Sequence, residues 1–206
     1  MTALREWLGR CPLVAILRGI HPAEAEDVVA RLAAAGIAIV EVPLNSPEPV
    51  ESIRRLAKRF GASMLVGAGT VMAPEQVQAV EAAGGRLIVT PHADGRIVRE
   101  AKRHRMFVCP GFATPTEAFA MLTAGADAIK LFPAEASNPA ALRGMLAVLP
   151  AGTLVLPVGG IEAGTMPAWR QAGAAGFGVG SALYRAGDTA EAVAAKASAL
   201  MAALRS

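Results

Sequence analysis

One pattern constrains this chain more than any other: a short apolar run followed by a helical pattern, repeated eight times. The runs are "LVAILRG" (13–19), "IAIVEVP" (37–43), "MLVGAGT" (64–70), "RLIVTP" (86–91), "MFVCPG" (106–111), "AIKLFP" (128–133), "LVLPVGG" (154–160) and "GFGVGS" (176–181). Helical patterns cover 22–35, 47–59, 74–83, 94–104, 114–124, 138–148, 164–172 and 189–204. Four of the helical stretches close on "AAG" (34–36), "AAG" (82–84), "TAG" (123–125) and "QAG" (171–173), with glycine where a helix C-terminus needs a left-handed residue. The runs are continuously apolar rather than alternating, as strands buried on both faces of a parallel sheet must be. Eight such units predict a closed (β/α)8 TIM barrel; an open doubly wound sheet is the alternative.

The 206 residues suffice for one core, and no linker or low-complexity stretch divides them, so a single TIM-barrel domain over 1–206 is expected. The chain is 53% hydrophobic and 18% charged, with a mean hydropathy of +0.42. Such apolarity implies strands covered on both faces, or an apolar surface against a partner subunit. No apolar run approaches the ~20 residues of a membrane span. The N-terminal run "CPLVAIL" ends at Arg18 without a cleavage pattern, so no signal peptide is expected. The net charge of +3 is spread along the chain. Its densest basic stretch, "REAKRHR" (99–105), reads as a solvated helix end, and no aromatics interleave it as a nucleic-acid surface would require. Cys11 and Cys109 have neither zinc spacing nor a disulfide framework, which suits a cytoplasmic protein. His21, His92 and His104 are scattered without ligand spacing, so no metal is expected.

In barrels, chemistry gathers at the C-terminal ends of the strands. The polar or special residues there are Arg18, Glu41 with Asn45 just beyond, Thr70, Thr90 with Pro91, Lys130, Gly159 and Gly160, and Gly180 and Ser181. The chain has four lysines, Lys58, Lys102, Lys130 and Lys196, and Lys130 alone falls in a strand pattern. Glu41 is the acid flanked on both sides by strand-type apolar residues. Each follows its motif glycine by five residues, Gly36 and Gly125, and both strands are even-numbered, which places them in one interior layer. A buried structural ion pair is one interpretation. The other is a lysine nucleophile with a carboxylate acid/base, because desolvation frees the amine to form a Schiff base with a ketone. Backbone N–H groups at Gly159–Gly160 and Gly180–Ser181 suit a phosphate, unless these glycines only permit tight turns. "GFGVGS" is not a dinucleotide fingerprint, since its glycines lie within a strand pattern. Arg18 could clamp an anion or form a rim ion pair; Thr70 and Pro91 could shape the pocket.

The motifs "AILRG", "VEVPLNSP", "GAGTV", "IVTP", "CPG", "TEAF", "AGADAIKLFP", "PVGG" and "GVGSALY" occur in that order along nearly the whole chain. Together they resemble the class I 2-keto-3-deoxy-6-phosphosugar-acid (KDPG/KHG) aldolases. The resemblance implies reversible cleavage of a phosphorylated sugar acid to pyruvate and D-glyceraldehyde 3-phosphate, with no metal or other cofactor. It implies Lys130 as the Schiff-base lysine and Glu41 as the proton shuttle. Arg18, Thr70 and Lys130 would contact the pyruvate portion, and Gly160, Gly180 and Ser181, with Gly159 nearby, the phosphate end. It also implies a cytoplasmic homotrimer that binds neither nucleic acid nor membrane. The gluconate branch of the family usually reads "TLRT" after the glutamate and has a threonine before the glycine pair. Here "PLNSP", with Asn45, and Val158 stand in those places, which points to the galactonate branch. The alternatives are a 2-dehydro-3-deoxy-6-phosphogluconate or 4-hydroxy-2-oxoglutarate aldolase, and a sugar-phosphate binder that has lost its chemistry.

Overall fold

The computed structural model describes residues 3–205. It is an α/β fold in which helices alternate with parallel strands. The strands are β1 (Leu13–Ile16), β2 (Ile39–Pro43), β3 (Leu65–Gly69), β4 (Leu87–Val89), β5 (Phe107–Cys109), β6 (Gly111–Phe112), β7 (Ile129–Leu131), β8 (Val155–Pro157) and β9 (Phe177–Val179). The helices are α1 (Leu4–Arg10), α2 (Pro22–Ala34), α3 (Pro49–Phe60), α4 (Glu75–Ala82), α5 (Gly95–Arg103), α6 (Pro115–Thr123), α7 (Pro139–Leu146), α8 (Met166–Gln171) and α9 (Ala190–Ala203). A 3-10 turn, Ala134–Ala136, follows β7.

Every strand residue is buried, as the continuous apolar runs require. Six strands form one sheet in the order β5-β4-β3-β2-β1-β9, and β6-β7-β8 form a second. The run 106–111, expected as one strand, is divided between the sheets at Pro110, which has no N–H to donate. Its carbonyl still accepts from Lys130 N at 2.8 Å, and Val108 O accepts from Asp127 N at 3.0 Å. At the other junction an isolated parallel bridge joins Val158 to Gly178.

The four motif glycines end their helices as expected, with φ of +92° at Gly36, +86° at Gly84, +104° at Gly125 and +103° at Gly173. Each end closes with a bond five residues back, such as Ile37 N to Leu32 O at 3.0 Å and Ala126 N to Met121 O at 3.1 Å. The repeating pattern predicts no helix before residue 13, yet α1 precedes it. Three of its seven residues, Leu4, Trp7 and Leu8, are buried, too few for a periodic signal to stand out. Among the described residues no helix is long and apolar enough to cross a membrane. The "REAKRHR" stretch ends α5 and is largely ion-paired: Lys102 with Asp127, Arg103 with Glu100, and His104 with Glu81 and Glu100.

Candidate active site

Glu41 and Lys130 are buried almost completely, at 2% and 6% exposure, in a core whose other buried polar residues are Ser46, Ser52 and Thr90. Glu41 lies in β2, in register with Ile16 of β1 and Gly67 of β3. Lys130 lies in β7, opposite Gly111 of β6 and Leu156 of β8. Both line one small cavity with Ile16, Cys109 and Val158, and Leu4 and Leu8 of α1 close its floor. The two strands belong to different sheets, so their meeting is a tertiary fact.

Burial acts on the pair in opposite directions. It raises the Glu41 carboxyl to about 7, with the nearby positive charges of Lys130 and Arg18 opposing the rise. It lowers the Lys130 ammonium below its ordinary value; Glu41 opposes that shift and Arg18 reinforces it. Each group is driven toward its neutral form, which gives a free amine able to attack a carbonyl and a carboxyl able to give and take protons near neutrality. Glu41 Oε2 is buried without a hydrogen-bond partner. The Lys130 Nζ stands 4.5 Å from the centroid of the Phe132 ring, an apolar wall on its outer side. Burial pushes the Cys109 thiol in the same cavity up to about 12, which leaves it inert as a nucleophile.

Arg18, Asn45 and Thr70 come together at the rim. The Arg18 guanidinium donates to Asn45 Oδ1 at 2.7 Å and to Thr70 Oγ1 at 3.3 Å. Thr70 follows β3 with φ +53°, a left-handed conformation that turns its hydroxyl back toward Arg18. Gly159, Gly160, Gly180 and Ser181 meet Arg18 and Val158 in a second, more open cavity, which also takes in Phe132, Glu135 and Glu162. Ile16 and Val158 line both cavities, so the glycine end adjoins the lysine end. Pro91 lines neither. It backs onto Gly111, where an added Cβ would come within 2.5 Å of the Pro91 carbonyl, and it thereby packs against the strand beside Lys130.

Three residues of the site do not stand out in the sequence. Phe132 stands two residues after Lys130 on the same strand line and could have been found from the period of two. Gly69 lies in β3, and a Cβ there would overlap the Glu41 carboxyl group. Glu135 lies in the 3-10 turn, two residues after Pro133, and carries no periodic signal; only its packing over Gly159 and Gly160 marks it.

The family model described as KDPG and KHG aldolase matches residues 4–197. The chain belongs to this family. Its site residues from Arg18 to Ser181 all fall within the matched range. The chain is 46% identical to the 2-dehydro-3-deoxy-6-phosphogalactonate aldolase of Escherichia coli K12, over 97% of this chain and 98% of that protein. It is 42% identical to a probable 2-dehydro-3-deoxy-6-phosphogalactonate aldolase of Rhizobium meliloti, over 93% and 91% of the two chains. A solved structure of native KDPGal superposes with a TM-score of 0.94 at 46% identity, covering 95% of each chain. A KDPG and KHG aldolase thus presents two ends to one mouth: a buried lysine and carboxylate, and a glycine-lined rim.

Proposed function

We propose that this chain is a class I aldolase, a lyase that reversibly cleaves 2-dehydro-3-deoxy-6-phospho-D-galactonate to pyruvate and D-glyceraldehyde 3-phosphate through a Schiff base on Lys130. The carrying observation is the pair itself: a lysine and a glutamate, both buried, on one cavity, each driven by burial toward its neutral form.

Neutral Lys130 Nζ attacks the C2 ketone, and the carbinolamine loses water to give an iminium. That cation accepts the electron pair of the C3–C4 bond. Glu41, directly or through one water, takes the proton of the C4 hydroxyl as the aldehyde departs. The enamine left on Lys130 is protonated at C3, and hydrolysis releases pyruvate and the free amine. Arg18, fixed by Asn45 and Thr70, is placed to hold the carboxylate of the pyruvate portion. Gly159, Gly160, Gly180 and Ser181 offer backbone N–H groups to the phosphate end. Val158 and Asn45, in place of a hydroxyl and a guanidinium, favour the galactonate configuration at C4.

The two parallel sheets are read as arcs of one closed (β/α)8 barrel forming a single domain, supported by the bonds across Pro110 and the Val158–Gly178 bridge. A cytoplasmic homotrimer is the accompanying proposal; the exposed Met72, Phe119 and Val148 supply apolar surface for it. Borohydride reduction in the presence of pyruvate tests the chemistry. The intact protein gains the mass of a reduced pyruvate adduct, and Lys130→Ala gains none and does not turn over. Glu41→Gln still traps pyruvate and cleaves roughly 10²–10⁴-fold more slowly. Turnover retained by Lys130→Ala sinks the Schiff-base assignment, and a folded wild type that never forms the adduct supports a binding protein instead.

A further inference from the structure

The seam between the two sheets runs beside Lys130, and it is held by a side chain that the cleavage steps above do not use. Cys109 pairs with Val89 of β4, whereas Gly111, two residues on, pairs with Lys130 of β7. Pro110 between them brings no N–H to the ladder. The buried N–H of Gly111 still needs an acceptor, and it donates to Thr90 Oγ1 at 3.2 Å. Thr90 stands just past β4 with 0% exposure. Its hydroxyl donates in turn to His92 O, so the one oxygen both accepts and donates. Its N–H reaches Cys109 O at 3.4 Å.

The contact is close as well as polar. A Cβ on Gly111 would come within 2.5 Å of the Pro91 carbonyl and 2.7 Å of His92 N, so the segment 90–92 lies directly on Gly111. On the other side Pro110 O accepts from Lys130 N at 2.8 Å. A chain of short contacts thus runs from Thr90 through Pro110 and Gly111 to the backbone of Lys130. Lys130 and Glu41 lie in different sheets, so their spacing across the cavity depends on how those sheets are joined. At one edge the join is the Val158–Gly178 bridge. Before β7 it is Asp127, whose N–H donates to Val108 O at 3.0 Å and whose Oδ2 accepts from Val108 N at 2.9 Å. Thr90 closes the seam level with Lys130 itself, through the residue that pairs with it.

We infer that Thr90 is a positioning residue: its hydroxyl pins Gly111 to the end of β4 and so sets where β7 presents the Lys130 amine to Glu41 and to the substrate ketone. The inference rests on the aldolase reading above. Thr90 lines neither cavity, so it acts through Gly111 and not by touching substrate. The phosphate end, anchored by the Val158–Gly178 bridge, does not depend on it.

The test compares the wild type with Thr90→Val and Thr90→Ala, which lack the hydroxyl, and Thr90→Ser, which keeps it. Each is assayed well below its own melting transition. The hydroxyl-free variants are expected to lose about 10–100-fold in kcat and in the rate at which borohydride traps pyruvate, since a small misplacement of the amine is costly. Thr90→Ser stays within about three-fold of the wild type in both. The inhibition constant of inorganic phosphate, read at the glycine end, stays within about two-fold in all of them. A folded hydroxyl-free variant with wild-type kcat overturns the inference. So does a loss in Thr90→Ser as large as in Thr90→Val, or a parallel loss of phosphate binding, which marks general loosening. If neither hydroxyl-free variant folds, the hydroxyl serves folding and the positioning role falls. Trapping by the wild type is the control for the reaction itself: an adduct there with unimpaired variants refutes Thr90 alone, whereas a missing adduct removes the aldolase reading and this inference with it.

Discussion

The carboxyl group of Glu41 fills the space that a side chain at Gly69 would occupy: a Cβ built on Gly69 overlaps both carboxylate oxygens and the carbon between them. The absence of a side chain on β3 thus sets where the acid of β2 can point. Gly69→Ala must push the carboxyl out of place or shift the strand. The variant is expected to lose about 1–3 kcal/mol of stability through overpacking and on the order of 10²-fold in kcat through misplacement of Glu41. Chemical denaturation and steady-state kinetics check the two effects, and wild-type kcat in the alanine variant refutes the constraint.

Burial holds the Glu41 carboxyl at about 7 in the folded protein against an ordinary 4.5. Between those values the folded state binds more protons than the unfolded state, so this group makes stability fall as pH rises through that window. Above it, the buried charge costs on the order of 3 kcal/mol. Glu41→Gln removes the titration. The variant is therefore expected to melt above the wild type near about pH 8 and to lose that advantage near about pH 4. Lys130, lowered by burial, works the other way, with stability rising with pH up to its ordinary 10.5; Glu41→Gln removes the charge that opposes this lowering, so the lysine offsets part of the variant's gain at high pH. Cleavage by the wild type is expected to fall as pH drops below about 7, where Glu41 becomes protonated. Melting curves that keep the same separation at both pH values contradict this account.

Asn45 fixes one arm of the Arg18 guanidinium at 2.7 Å, and Thr70 the other at 3.3 Å. Removing the shorter bond in Asn45→Ala frees a solvent-exposed arginine without opening the core. The expected outcome is a rise of about 3–10-fold in the KM for pyruvate in condensation, with a smaller change in kcat. Equal losses in kcat and kcat/KM would place Asn45 in the transition state instead of in the binding of pyruvate.

Val158 lies where the two cavities join and packs against Gly178, where an added Cβ would come within 2.6 Å of Val158 Cγ2. Threonine has nearly the same shape and adds a hydroxyl. Val158→Thr is expected to shift the ratio of cleavage rates on the two C4 epimers toward 2-dehydro-3-deoxy-6-phosphogluconate by about 10-fold. Pyruvate release coupled to lactate dehydrogenase reads both rates, and an unchanged ratio removes Val158 from the determinants of specificity.

Much of the site was legible because its markers are local. A lysine or glutamate inside an apolar run is visible from its neighbours alone, and Glu41 and Lys130 stand out on that ground. The five-residue spacing from Gly36 and Gly125 counted strand phase from a helix end that the glycine itself defines. Arg18, Asn45 and Thr70 are each legible as a polar residue just past a strand, but their mutual hydrogen bonds require the loops after β1, β2 and β3 to converge. Pro91, also just past a strand, backs Gly111 beside Lys130, a contact between neighbouring strands that its own surroundings in the sequence do not encode.

By itself the sequence determined the alternation of helix and parallel strand, the helix stops at the four motif glycines, and the candidate nucleophile and acid. Those follow from hydrophobic period, backbone sterics and the cost of burying charge, which act over a few residues. Tertiary structure alone decided that α1 closes the floor of the cavity, that Pro110 divides one strand between two sheets, that Gly69 makes room for Glu41, and that Glu135 lies over Gly159 and Gly160. Each of these is an approach between segments distant in the chain or a choice of side-chain direction in a loop, and no local periodicity encodes either.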